Sequence, residues 1–517
     1  MRALATCAAA VLLGAPSLAA ATTYDVGPTY AYTAIGAVPW ESLAAGDTVQ
    51  IHAKPAQEPY AEKWVICAQG TAAKPIRVVG VPDGAGNLPV ITGENATTRT
   101  ALRFTNEVRA LLKIGTASTP SCDVPAFVEV EGLDLRRARS AYTFTSAAGT
   151  VTAYAQNAAA IWVETGHDIT VRGCVIEDSG NGLFSSWQVQ NLLVEGNLIQ
   201  GNGNVGSIYE HNTYTAAAGI TYRGNQFGPL CAGCGGNNLK DRSAGTVIQA
   251  NWIEGGNRQL DLVDGEDDPS IPADPRYQDT WVAGNVLFED GNDGNSQIVH
   301  FGGDSGSTGI YRTRLWFWNN TVVSTRTGNT TLFQLSTNAQ QAYVFGNVFW
   351  ASAGGPYLAW ADADAQVTQV QVTSGSNWLP AGAVLTHGSL TGTIADAGEN
   401  LAGLAPGFVD ATAADFRLAA GSPCLDAAGT LPAATFAHPL DAVYVPDRQT
   451  EARAGEVPRD LGAFWRGKPG PVPGALPGGG CGCGAGGDGA FAVLLVTLAA
   501  FRRRRPFSLG EIRGRRV

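Results

Sequence analysis

One five-residue shape recurs along the middle of the chain and limits what it can fold into. "RGCVI" (172–176), "EGNLI" (195–199), "RGNQF" (223–227), "QANWI" (249–253), "AGNVL" (283–287), "WNNTV" (318–322) and "FGNVF" (345–349) share it. The asparagines are Asn197, Asn225, Asn251, Asn285, Asn320 and Asn347, with Cys174 in the first slot, and the gaps between asparagines are 28, 26, 34, 35 and 27 residues. A period that is fixed at one corner and elastic elsewhere marks a solenoid, in which each coil buries its apolar face against its neighbours. Asn tolerates the left-handed region and suits a tight corner. Stacked in register, its amide can bond the next one along the axis. A β-sandwich gives no reason for Asn at one phase of six repeats.

Composition agrees. Only 15% of the 517 residues are charged, 65 are Gly and one is Met. Val, Ile, Thr, Trp and Tyr fall in short runs between Gly, Asn and Asp, which is strand-and-turn chemistry. Apolar residues make up 44%, ample for a packed core. The net charge of −11 includes seven Arg and one Glu in residues 502–517, so the body before them is more acidic still. Such a body is a poor partner for nucleic acid. A local basic patch would still suffice for an anionic sugar.

The two ends differ from the body. Residues 1–21 have a secretory signal's order: Arg2, an apolar stretch from Cys7 to Leu13, then Ala19-Ala20-Ala21. Residues 22–466 are expected to form the solenoid. Residues 467–480 are a Pro/Gly linker, and residues 481–517 hold Cys481-Gly-Cys483, a short apolar run and Arg502–Arg505. Export permits disulfides. Cys67 and Cys122 are candidate partners. Cys231-Ala-Gly-Cys234 reads as a stapled glycine loop, since no second CxxC or His pair of zinc spacing follows it.

The densest charge lies in residues 236–268. In "NNLKDRS" strand alternation puts Leu239 on one face and Lys240 and Arg242 on the other. One coil later, in "RQLDLVD", Leu260 and Leu262 point in, Asp261 joins the outward face, and Arg258 precedes the strand. One coil earlier, "EHNTYT" supplies Glu210, His211 and Tyr214. Rungs sit about 4.8 Å apart, so Lys240, Arg242 and Asp261 are expected close together. They are candidates for an acid–base site or for an inter-rung ion network that only stabilises the coil. Asp261, Asp264 and Glu266, in and beside an acidic turn, are candidate ligands for Ca²⁺, which takes hard oxygen donors. A solvated loop is the alternative for that turn.

The run "GDTVQIHA…KPIRVVGVPDG…PVITG", the Asn-phased coils and the closing "PGFVDATAADFRLAAGSPCLDAAG" (406–429) resemble secreted proteins of the pectate-lyase-like superfamily. The resemblance implies an all-β fold, a single-stranded right-handed parallel β-helix with an Asn ladder. "KDRSAGTVIQANWIE" is similar to the stretch around the catalytic lysine of chondroitinase-B-type and alginate-lyase-type polysaccharide lyases. Aligned on "VIQAN", Arg242 falls on that lysine, and the family's Arg-His pair one coil later falls on Val263-Asp264, which does not match it. The order of linker, Cys-Gly-Cys, apolar helix and Arg cluster resembles the MYXO-CTERM sorting tail. That resemblance implies a secreted or cell-surface protein that touches the membrane only through its tail.

The implied chemistry is β-elimination on an acidic polysaccharide. Arg or Ca²⁺ neutralises the sugar carboxylate so that its α-proton becomes acidic. Lys240, its pKa lowered by Arg242, is the expected base. Tyr214 or His211 is expected to pass a proton to the leaving oxygen. The competing reading is a non-catalytic β-helix, an adhesin or surface structural protein.

Overall fold

The computed structural model describes residues 21–465 apart from 123, 293, 338, 353–357, 364–369, 389–391, 447 and 454–458. The expected signal, linker and tail lie outside these residues, except Ala21 at the signal's end. Three long sheets of 13, 11 and 14 strands run the length of the body, paired almost throughout in parallel. One coil shows the plan. Ala244–Gln249 lies in the first sheet, Trp252–Glu254 in the second and Leu260–Leu262 in the third. The chain then returns to the first sheet one rung higher, at Asp279–Ala283. This is a parallel β-helix, as expected from the repeat.

The corner between the first and second sheets carries the asparagines. Asn225 donates from its backbone N–H and from Nδ2 to Oδ1 of Asn251, both at 2.9 Å. Asn251 does the same to Asn285, at 3.0 and 2.9 Å. The ladder starts at the N–H of Cys174, which donates to Asn197 at 2.9 Å. It runs on past Asn347 to Asn377 and Asn400. The left-handed residue is not the Asn. It is the residue before it: Gly196 (φ 62), Gly224 (φ 65), Gly284 (φ 65) and Gly346 (φ 68), and also Ala250 (φ 53) and Asn319 (φ 50). The turn and the ladder therefore belong to two adjacent residues, and glycine is common at the first because it has no Cβ to strain there.

Apolar columns fill the interior. Leu239, Leu260, Val299 and Phe333 succeed one another in register on the third sheet, all fully buried. One polar cluster interrupts them. Asp241, which also points inward, is paired with the buried Arg312 at 2.8 Å. Thr215 and Thr246 donate their hydroxyls to the same carboxylate at 2.8 and 2.6 Å.

The described residues of 406–465 continue no coil. They form two antiparallel hairpins, Phe408–Asp410 with Asp415–Leu418 and Ala442–Val445 with Gln449–Ala452. This segment packs on the first two sheets. Phe416 and Tyr444 join Trp252 and Phe288, and Leu440 lies against Gly284. Cys67 is bonded to Cys122 and Cys231 to Cys234, as expected, and Cys174 and Cys424 are free and buried.

Candidate functional site

The outward side chains of the third sheet form a single file along the axis. Trp162, Phe184, Tyr214, Lys240, Asp261, His300 and Gln334 succeed one another in register. The first six of them, Trp162 to His300, floor a cleft of about 950 Å³, which Arg109, Glu210, His211, Arg242, Arg258 and Asp304 also line. Of the candidates named from the sequence, His211, Tyr214, Lys240, Arg242, Arg258, Asp261 and Glu266 line this cleft, and Asp264 is buried behind it.

At its centre charges alternate. Lys240 Nζ lies 2.9 Å from Asp261 Oδ2 and 2.5 Å from Asp304 Oδ2. Arg242 Nη2 lies 2.9 Å from Asp304 Oδ1 and 2.8 Å from Glu266 Oε1. Arg242 Nη1 donates to the Asp264 carbonyl at 2.7 Å, and Nε donates to the Tyr214 oxygen at 3.0 Å. Asp261 also accepts from Asn237 Nδ2 at 2.6 Å and pairs with His300 Nδ1 at 2.7 Å, while His300 Nε2 meets Ser336 Oγ at 2.8 Å.

This geometry corrects three expectations. The first is Lys240 as base. Burial pulls its pKa down, but the Asp261 and Asp304 carboxylates more than offset that, so it is raised and the ammonium is kept. The like charge of Arg242 is the smaller effect.

The second concerns Asp261, Asp264 and Glu266 as Ca²⁺ ligands. Asp261 is held by Lys240, Asn237 and His300, Glu266 by Arg242, and Asp264 by the Asp304 N–H at 2.8 Å and the Ser305 hydroxyl. Among the described residues no three His, Cys, Asp or Glu side chains converge on a metal position. The donor set does not fit the ion.

The third is His211 as proton donor. Its Nδ1 accepts from the Asn237 N–H at 2.8 Å, and burial, with the Lys240 charge beside it, takes its pKa from 6.5 down to about 3. It is a neutral imidazole that offers only its Nε2–H. A folded-state pKa below the unfolded one means that, between about 6.5 and 3, the unfolded chain holds a proton that the folded one refuses. Stability is therefore expected to fall on acidification through that window, with a slope of up to one proton, about 1.4 kcal/mol per pH unit. His211→Asn should flatten the slope. Urea unfolding at a series of pH values checks this, and an identical acid loss in wild type and variant would refute it.

Other groups in the cleft have no such compensation. Arg258 donates from Nη2 to Gln334 at 2.7 Å, but it forms no ion pair among the described residues and its buried Nε has no partner. Burial lowers its pKa, since Asp261 and Asp304 offset this only in part. Glu210 is 5% exposed, and its Oε2 is buried without a hydrogen bond. Tyr214 is half-buried. Burial raises its pKa against the opposing pull of Arg242, so it stands as a protonated phenol.

Sequence reasoning missed Asp304 and His300. Aligning "IVHFGGDS" (298–305) under "QLDLVDGE" (259–266) was the available signal, since it places His300 on Asp261. Gly303-Asp304-Ser305-Gly306 is a loop that delivers Asp304 between the two cations.

A family described as periplasmic copper-binding protein (NosD) matches residues 125–257, about a quarter of the chain. Among solved structures the chain is similar to the pectate lyase Pel9A, at 13% identity and a TM-score of 0.44, covering 87% of this chain and 97% of that one. It is also similar to an alginate lyase from Paenibacillus sp. str. FPU-7, at 11% identity and a TM-score of 0.33, covering 72% and 98%. A third likeness is to a GH136 lacto-N-biosidase from Eubacterium ramulus, at 10% identity and a TM-score of 0.39, covering 74% and 68%. No curated protein sequence matches the chain.

Proposed function

We propose that the protein is an exported, carbohydrate-active β-helix that holds an acidic polysaccharide along the Trp162–His300 file and cleaves it by β-elimination. The observation that supports this most is Arg258, a cleft cation without a carboxylate partner among the described residues, in one cleft with a protonated phenol and the buried Glu210, whose Oε2 accepts no hydrogen bond among them. Arg258 would take the uronate carboxylate and acidify its α-proton. Glu210 would accept that proton. The electron pair forms the carbon–carbon double bond, the bond to the glycosidic oxygen breaks, and Tyr214 donates its proton to the leaving oxygen. Lys240 and Arg242 would hold Asp261, Asp304 and Tyr214 in place.

The two disulfides suit an oxidising compartment. No helix of the described residues is long and apolar enough to cross a membrane. Copper, which the partial match brings to mind, lacks a donor set among the described residues.

The non-catalytic reading also has an observation in its favour, because Lys240, Arg242, Asp261 and Asp304 are all paired with one another. One experiment separates the two. The purified protein is incubated with alginate, polygalacturonate and glycosaminoglycans, with and without Ca²⁺, and ultraviolet absorbance of the unsaturated product is followed. The lyase is expected to give a signal on at least one polymer. Lys240→Ala is expected to lower the melting temperature in either case, because it leaves the buried Asp261 without its lysine and Asp304 with Arg242 alone. No absorbance from any polymer would overturn the lyase and leave a surface-binding protein.

A further inference from the structure

Arg109, the last residue of the short turn Glu107–Arg109, reaches over the file of outward side chains. Its guanidinium carbon lies 4.5 Å from the Trp162 ring centre and 4.8 Å from that of Phe184. Among the described residues it forms no ion pair, and its buried Nε has no hydrogen-bond partner. The carboxylate nearest in charge, Glu164, is already bound to Lys113 Nζ at 2.6 Å. Lys113 also donates to the Thr105 carbonyl and hydroxyl at 2.6 and 2.8 Å. Lys113 and Glu164 thus cancel, and the Arg109 charge is left over. Burial lowers its pKa, as expected of a cation held without a counter-charge.

The position has a geometric meaning. Trp162 stands two rungs from Tyr214, about 10 Å along the axis at the usual strand spacing. Trp162, Phe184 and Tyr214 are packed edge to face, with centres 6.3 and 5.1 Å apart. They make a continuous aromatic wall from Arg109 to the charge cluster, and Arg109 lines the same cleft as Lys240.

We propose that Arg109, braced on Trp162 and Phe184, is a second anion subsite, which binds the carboxylate or sulfate of a sugar residue further along the same chain. This rests on the polysaccharide reading above and sharpens it: the ligand must be charged at more than one residue and long enough to span both arginines.

The test measures calorimetric affinity for a long polygalacturonate oligomer, its carboxyl-reduced counterpart, a digalacturonate and a sulfated glycosaminoglycan oligomer. Arg109→Met is expected to bind a long acidic oligomer roughly 10- to 100-fold more weakly, the worth of a charge-assisted contact. Affinity for the carboxyl-reduced chain and the digalacturonate should be unchanged. Arg109→Lys, which keeps the charge and loses the fork, should fall between wild type and Met and guards against a Met variant that does not fold. Which acidic oligomer is affected separates carboxylate from sulfate. Equal loss on the acidic and reduced chains, or no loss on either, overturns the subsite. So does a wild-type protein that binds no acidic oligomer. Cleavage that persists without any Arg109 effect sinks the subsite and leaves the lyase standing. Charge-selective binding without cleavage does the reverse.

Discussion

Arg312→Met is expected to destabilise the protein by about 3–5 kcal/mol, the usual cost of removing one partner of a buried ion pair. Arg312 is 1% exposed and Asp241 is fully buried. Besides the carboxylate, the guanidinium serves the carbonyls of Val263 at 2.7 Å and Asp241 at 3.0 Å, and the hydroxyls of Thr246 and Thr280 at 3.2 and 3.0 Å. Methionine fills much of the space and satisfies none of these acceptors. The double variant Asp241→Leu/Arg312→Met should recover a large part of the loss, because no uncompensated charge then remains. Urea unfolding of the three proteins checks both statements. A single-variant loss below about 1 kcal/mol would mean that water reaches Asp241 and that the interior is not dry there. The site depends on this pair. Asp241 lies between Lys240 and Arg242, so the anchor that holds its side chain inward also fixes the two cations that face the cleft.

Tyr214→Phe is expected to lower the cleavage rate by roughly 10²–10⁴-fold, the usual contribution of a positioned proton donor. Stability should change little. The ring and its contact with Phe184 remain, and the loss is one hydrogen bond from Arg242 Nε, worth about 1 kcal/mol. Initial rates on whichever polymer gives product, beside a melting curve, make the comparison. A variant that keeps more than a tenth of the activity would remove Tyr214 from the chemistry. If binding and rate fall together along with the melting temperature, the phenol is part of the scaffold.

The corner ladder was legible in the sequence because it repeats an identical residue with apolar residues behind it. Its last two members were not. Asn377 and Asn400 have the same function, with Ser376 (φ 52) and Glu399 (φ 63) in the left-handed place before them. The neighbourhood of Lys240 and Asp261 was legible from alternation alone, since both strands are short and a single regular coil separates them. Asp304 was not, and the error over Lys240 followed from that. The sign of its pKa shift depends on the two carboxylates beside it, and one of them arrives on a loop beyond the next rung. Pairings of that kind depend on how a loop folds back, which strand periodicity does not encode. The inward Asp241 was hidden for another reason: its partner Arg312 is 71 residues away and lies in no repeat.

The ladder also separates two quantities that most folds tie together. Its hydrogen bonds run from one coil to the next, parallel to the axis, and take no part in closing any coil. The height of each rung is therefore set at the corner, while the circumference of each coil is free to vary, as intervals from 23 to 35 residues between successive ladder asparagines show. Lengthening a loop costs only about 0.6 kcal/mol for each doubling. The segment 228–235, which leads into the third sheet beside the cleft, is thus a natural place for grafts. New walls can be raised there around an unmoved floor, changing which chains the groove admits while every outward side chain keeps its place in the file.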